Sequence, residues 1–197
     1  MPHPTTNAEG MPTIALSEEQ RYRFDTRGWL LLPGLLSESQ VDEMKDFCYR
    51  LKKDTDSIPE HHRSSIGGPL ESLTDHPAVV GFMDEFVSSG YAGEDCYGFR
   101  LEGTFLTIRS KGDGQFAPHG GRGLFNFPGN SHTYRMNNDR AHSGLTRVVW
   151  ELNPVRRGDG GTLFLTGSHK GAFRRLRRRR ARTVICGRTT SALPVRR

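Results

Sequence analysis

Cysteine and long apolar runs are each scarce in this 197-residue chain, and each scarcity closes off a class of protein. The three cysteines, Cys48, Cys96 and Cys186, lie far apart and form no CxxC pair. That argues against a disulfide framework or a zinc site and fits a reducing, cytoplasmic compartment. Apolar residues make up 34% of the chain, low for a compact protein, although the length is enough for one domain with a core. No apolar run approaches the length needed to span a bilayer, so no membrane partner is expected. The polar, proline-rich stretch 1–13 lacks the apolar segment of a secretory signal. No Asp or Glu occurs after Asp159.

The charge is unevenly placed. The net charge is +6, yet ten of the 28 basic residues are arginines between Arg174 and Arg197. The rest of the chain carries 18 basic against 22 acidic residues and is mildly acidic.

Residues 1–15 read as a flexible leader. Ser17 with Gln20 is a capping-box pattern that opens a helix over about 18–26, with Gly28 suited to its C-terminal stop. Trp29-Leu30-Leu31-Leu32-Pro33 reads as a short buried strand and Pro33-Gly34 as a turn. Ser37 with Gln40 repeats the capping pattern and begins a helix to about Lys53. Val41, Met44, Cys48 and Leu51 share one face of it, so Cys48 reads as a small buried hydrophobe.

Residues 54–70 read as a surface loop. Asp75-His76-Pro77 precedes a third helix over about 77–88, carrying Val79, Val80, Phe82, Met83 and Phe86. Beyond Gly90 the pattern turns to strands: Phe99–Arg109, Leu145–Leu152 and Thr162–Leu165, with a loop-rich stretch over Gly112–Arg140. Helices first and strands later give an α+β chain whose β part is a sandwich or barrel.

The most informative segment is Gly158-Asp159-Gly160-Gly161-Thr162-Leu163-Phe164-Leu165-Thr166-Gly167-Ser168-His169-Lys170, read with Pro118-His119-Gly120-Gly121. Together with the opening helix and the Gly28-Trp29-Leu30-Leu31-Leu32-Pro33-Gly34 segment, it resembles the phytanoyl-CoA dioxygenase family of non-haem iron(II), 2-oxoglutarate-dependent oxygenases. The resemblance runs from about residue 17 to 171. It implies N-terminal helices packed on a partial double-stranded β-helix (jelly-roll or cupin-like) core over 16–171, followed by an Arg-rich disordered tail over 172–197. It also implies Fe(II) and 2-oxoglutarate as cofactors and hydroxylation of a small organic or acyl-CoA-type substrate. The strands around Thr104–Arg109 and Val148–Leu152 would wall the pocket. No residue pattern specifies an oligomeric state.

In such enzymes two histidines and one carboxylate hold the metal on one face. The first two ligands usually form H-x-D, because residues i and i+2 point to the same side of a strand. Here His119 takes the ligand position and Gly121 the carboxylate position, and glycine cannot bind metal. Three readings stay open: a carboxylate supplied from elsewhere or iron held by fewer ligands, a halogenase-like site in which chloride takes the vacated position, or an inactive site. Asp113 and Asp139 read as solvated turn residues. Glu102 could face inward from its strand. His132 and His142 sit in or beside the polar loop, His142 the better placed of the two. The resemblance makes His169 part of a structural, pocket-lining turn rather than a ligand. The family's second metal histidine, and the arginine that grips 2-oxoglutarate, belong to later strands. Arg188, Arg196 and Arg197 are present, but no histidine follows His169. The expectation is a C-terminally truncated or frame-shifted member of the family, marginal in stability. The arginine burst leaves a nucleic-acid-binding arm as an alternative, though an unfavoured one. A non-catalytic binding module on the same fold is the other.

Overall fold

The computed structural model describes residues 5–87, 96–110, 112–114, 132–156 and 159–170, and the backbone of 182–183. Helix α1 spans Glu18–Arg27, α2 Glu38–Lys53 and α3 Pro77–Phe86. Both anticipated capping boxes form. Ser17 Oγ accepts from the Gln20 amide at 3.2 Å, and Gln20 Oε1 accepts from the Ser17 amide at 2.8 Å. Ser37 and Gln40 repeat the pair at the same distances. Each box satisfies two amides that a helix start leaves open, and a cap of this kind contributes about 1 kcal/mol. Gly28 ends α1 in the left-handed conformation, φ 78°, with its amide donating to the Phe24 carbonyl. At α3, Pro77 takes the first turn and His76 Nδ1 accepts from the Ala78 amide at 3.2 Å.

Two apolar clusters organise the described residues. In the first, Phe24 of α1 meets Val79, Phe82, Met83 and Phe86 of α3, with Leu16 beside them. Phe24 lies edge-on to Phe82 at 4.7 Å and tilted against Phe86 at 4.6 Å, arrangements that add to simple burial. In the second, Met44, Phe47 and Cys48 of α2 pack on Ile58 and Leu70. Cys48 is the buried hydrophobe its spacing implies, and burial pushes its thiol pKa up.

Several expectations are corrected. Residues 5–15, read as part of a flexible leader over 1–15, are docked together with Leu16. The Asp75 carboxylate accepts from the Ala8 amide at 2.9 Å, Ile14 N–H donates to the Pro77 carbonyl at 3.1 Å, and Leu16 is buried. Gly81 makes the contact possible, since a Cβ there would lie 1.9 Å from the Ile14 carbonyl oxygen. The stretch 54–70, read as a surface loop, begins a series of short 3-10 turns, Thr55–Ser57, Glu60–His62 and Gly68–Leu73, which bury Ile58 and Leu70 against α2. Two apolar residues widely spaced among polar ones carry no period, so the pattern concealed them.

The strands expected at 29–33, 99–109 and 145–152 do not form. A strand is a paired state, and an apolar run with no neighbouring ladder stays extended without being one. Phe99 and Ile108 are half-buried, but Leu101 is 55% exposed and Phe105 66%, so 99–109 shows no alternating inward face. The loop-rich stretch instead contains a hairpin: β1 (Tyr134–Asn137) pairs antiparallel with β2 (Arg140–Ser143), Tyr134 opposite Ser143. Asn138 and Asp139 turn it with φ 49° and 60°, the left-handed pair that a two-residue hairpin turn requires. The strand expected at 162–165 shortens to β3 (Leu163–Phe164), paired antiparallel with β4 (Arg182–Thr183). Two residues of the Arg-rich segment, read as disordered, therefore pair back onto the chain. The described residues have α+β composition, with three α-helices and two small antiparallel pairs. Among the described residues no helix is long and apolar enough to cross a membrane.

Candidate functional site

Titratable groups converge where α1 ends. Gly28 turns the chain out of the helix, and the segment 163–170 comes back across that turn. The Gly167 amide donates to the Arg27 carbonyl at 2.8 Å, satisfying one of the carbonyls that a helix C-terminus leaves open. Trp29 Nε1 donates to Thr166 Oγ1 at 3.1 Å, and the Trp29 ring stacks on Phe164 with centroids 6.2 Å apart. Gly167 has φ 80°, which lets the chain reverse into the single 3-10 turn Ser168–Lys170.

That turn brings two side chains onto Asp25. His169 Nε2 lies 2.8 Å from the Asp25 carbonyl oxygen. A carbonyl only accepts, so Nε2 carries the proton and the neutral ring has its lone pair on Nδ1. Lys170 Nζ sits 3.0 Å from Asp25 Oδ1. From the hairpin, the Tyr134 hydroxyl donates to the same Oδ1 at 2.5 Å, and its ring stands edge-on to His169 with centroids 4.7 Å apart. One carboxylate thus ties α1, β1 and the Gly-Ser-His-Lys turn together.

The electrostatics follow from these contacts. Burial pulls the Asp25 pKa upward, but the Tyr134 and Lys170 hydrogen bonds and the Lys170 charge outweigh it, so the carboxyl titrates below its ordinary range. Burial raises the Tyr134 pKa, and the hydrogen bond to a carboxylate raises it further. His169 is held low chiefly by burial and then by the neighbouring ammonium, against the opposing hydrogen bond to the Asp25 carbonyl. At neutral pH the set is an anion, a cation and two neutral rings. It is built to join segments, since each group bonds a residue of another element.

The residues singled out from sequence fall as follows. His119 and Gly121 lie outside the described residues, as does Cys186. Asp113 and Asp139 are turn residues as expected: Asp113 Oδ2 accepts from the Ser110 amide at 2.7 Å, and Asp139 is in the hairpin turn. Glu102, expected to be able to face inward, instead pairs with Arg100 at 3.3 Å on an exposed stretch. His142 stands in β2 opposite Arg135, its pKa lowered by burial and then by that arginine; His132 is half-buried just before β1. His169 takes part in a structural turn, as its sequence context implies.

Of the two segments expected to wall a pocket, Thr104–Arg109 is approached by Arg147, which precedes the second segment, its guanidinium 5.2 Å from the Phe105 ring centre. Leu106, Thr107 and Ile108 line an open groove of about 360 Å³ with Leu51 and Lys52 of α2, whereas Val148 and Val149 are exposed. Among the described residues no three His, Cys, Asp or Glu side chains are grouped so as to hold a metal ion, so these residues do not by themselves fit an iron site. Neither Asp25 nor Tyr134 stands out in the sequence. Asp25 reads as one more polar residue on an exposed helix face, and Tyr134 lies in a stretch without strand periodicity.

No family model matches this chain, and neither a curated protein nor a solved structure matches it.

Proposed function

We propose that the chain is a protein of the non-haem Fe(II)/2-oxoglutarate-dependent dioxygenase type, similar to phytanoyl-CoA dioxygenases. Its substrate would be a small organic or acyl-CoA-type molecule. The observation that carries this reading is the seating of one resemblance-bearing segment on the other. Arg27 and Trp29 hold Gly167 and Thr166, 137 or more residues away in sequence. The two motifs are therefore parts of one folded unit, as the family reading requires. The expected jelly-roll core and the cytoplasmic setting belong to the same reading. Bound iron(II) with 2-oxoglutarate would supply the oxidising chemistry, with His119 as its ligand. The described side chains act as scaffold, and the Asp25 cluster fixes the Gly-Ser-His-Lys turn.

The test is succinate formation from 2-oxoglutarate by the full chain with added Fe(II). Succinate is expected, and His119→Ala should bring it to background. Absence of succinate from the unsubstituted chain counts against an active dioxygenase. Gly121 in the carboxylate position favours a second reading, a non-catalytic binding module on the same fold. Fe(II) titration separates the two: micromolar or tighter binding that depends on His119 supports the enzyme, and no binding supports the module.

A further inference from the structure

The His169 ring is placed so that a second proton on it opposes its seating on α1. Its Nε2–H is committed to the Asp25 carbonyl oxygen at 2.8 Å. Its other nitrogen, Nδ1, is buried and has no hydrogen-bond partner among the described residues. The reason is visible at Gly28. A Cβ built there would lie 2.2 Å from Nδ1 and 2.5 Å from Cγ, so the ring is pressed into the space that glycine leaves. A neutral imidazole tolerates this, because the buried atom is only an acceptor. An imidazolium must place a second N–H there, with no acceptor to meet it, and an unmet charged donor is the more costly fault.

We propose that the Ser168–Lys170 turn is a pH-sensitive latch, seated on the C-terminal turn of α1 while His169 is neutral and released when the ring takes up a second proton. The charged and titratable groups around the ring set its sense. From α1, the Asp25 carboxylate attracts the proton, but Lys170 and Tyr134 already bond that carboxylate. Arg27, two residues on, is turned onto the Trp29 ring, its guanidinium 5.4 Å from the ring centre. From β1, Tyr134 offers His169 a ring rather than an acceptor. From the turn itself, the Lys170 ammonium opposes a neighbouring charge. Burial and that ammonium hold the seated ring's pKa below the ordinary 6.5, while a released ring would return to about that value. The seated form therefore gains nothing from falling pH, whereas the released form binds a proton. The ratio of seated to released turn falls about tenfold per pH unit from 6.5 down to the seated pKa. Above 6.5 the ratio no longer depends on the His169 proton.

Two protons report the latch directly: the Trp29 indole N–H, bonded to Thr166, and the Gly167 amide, bonded to the Arg27 carbonyl. Hydrogen exchange of both in the full chain, corrected for the intrinsic pH dependence, is measured from pH 7.5 to pH 5, with helix content followed by circular dichroism. Protection of both should drop together below about pH 6.5, tracking the His169 ring titration, while helix content holds. In His169→Gln an amide N–H can replace the imidazole N–H without titrating, and protection should lose its pH dependence. Flat protection in the unsubstituted chain overturns the proposal on its own. So does a His169 midpoint at or above 6.5, an equal loss in His169→Gln, or helix melting over the same range. If His169→Gln does not fold, the unsubstituted profile and its agreement with the His169 titration decide the matter.

Discussion

Phe24→Ala should cost about 3–5 kcal/mol of stability, the usual range for emptying a buried aromatic site. The ring is 7% exposed and is the centre of the α1–α3 contact, touching Phe82 and Phe86, with Tyr134 at 6.2 Å. Removing it leaves α3 with an aromatic pair, Phe82 and Phe86, facing a void that backbone helices cannot close. Tyr134 would lose apolar support on the side that steers its hydroxyl to Asp25. Urea unfolding followed by far-ultraviolet circular dichroism measures the loss. A change below about 1 kcal/mol would show that α1 does not rest on α3 through this ring.

Gly28→Ala should show a second large effect, because it adds two independent penalties. A left-handed residue with a side chain costs about 1–2 kcal/mol relative to glycine. Here φ is 78°, and the new methyl would also meet His169 Nδ1 at 2.2 Å, Cγ at 2.5 Å and Cβ at 2.9 Å. The ring has to leave, taking Nε2 off the Asp25 carbonyl and Lys170 away from the Asp25 carboxylate. The expected result is a loss of about 2 kcal/mol or more in urea unfolding. Exchange protection of the Trp29 indole should also fall at neutral pH, where the unsubstituted chain is protected. Full protection in the variant would mean that the turn does not rest against Gly28. His169→Gly in the Gly28→Ala background should restore room, leaving the backbone penalty alone.

The helical part of the fold was legible because its signals are local. A serine followed three residues later by glutamine specifies two reciprocal hydrogen bonds, and both boxes form at Ser17 and Ser37. Gly28 stops α1 for a reason that reads directly from its lack of a side chain. The face of α2 is nearly complete in the stripe Val41, Met44, Cys48 and Leu51; Phe47, also buried, lies beside that stripe and off its spacing. The strands were not legible, because pairing is decided by a distant partner. The apolar residues at 99–109 and 145–152 have the composition of strands, yet no ladder reaches them. The hairpin at Asn138 and Asp139 carried a recognisable turn pair, but polar flanks hid it inside a loop-rich stretch. The Asp25 cluster depends on three segments meeting, at residues 25, 134 and 169–170. No spacing rule connects them. His119 remains a reading from sequence resemblance.

The docking of residues 5–16 along α3 bears on how shortened versions of this protein should be designed. A fragment trimmed to begin at the first helix would look economical on paper, since residues 1–13 are polar and rich in proline. It would leave the Asp75 carboxylate with Tyr97 but without the Ala8 amide, and the Pro77 carbonyl without Ile14. It would also open the notch at Gly81 to water and remove Leu16 from the cluster around Phe24. Affinity tags belong beyond residue 5 on that side, with the natural stretch kept intact.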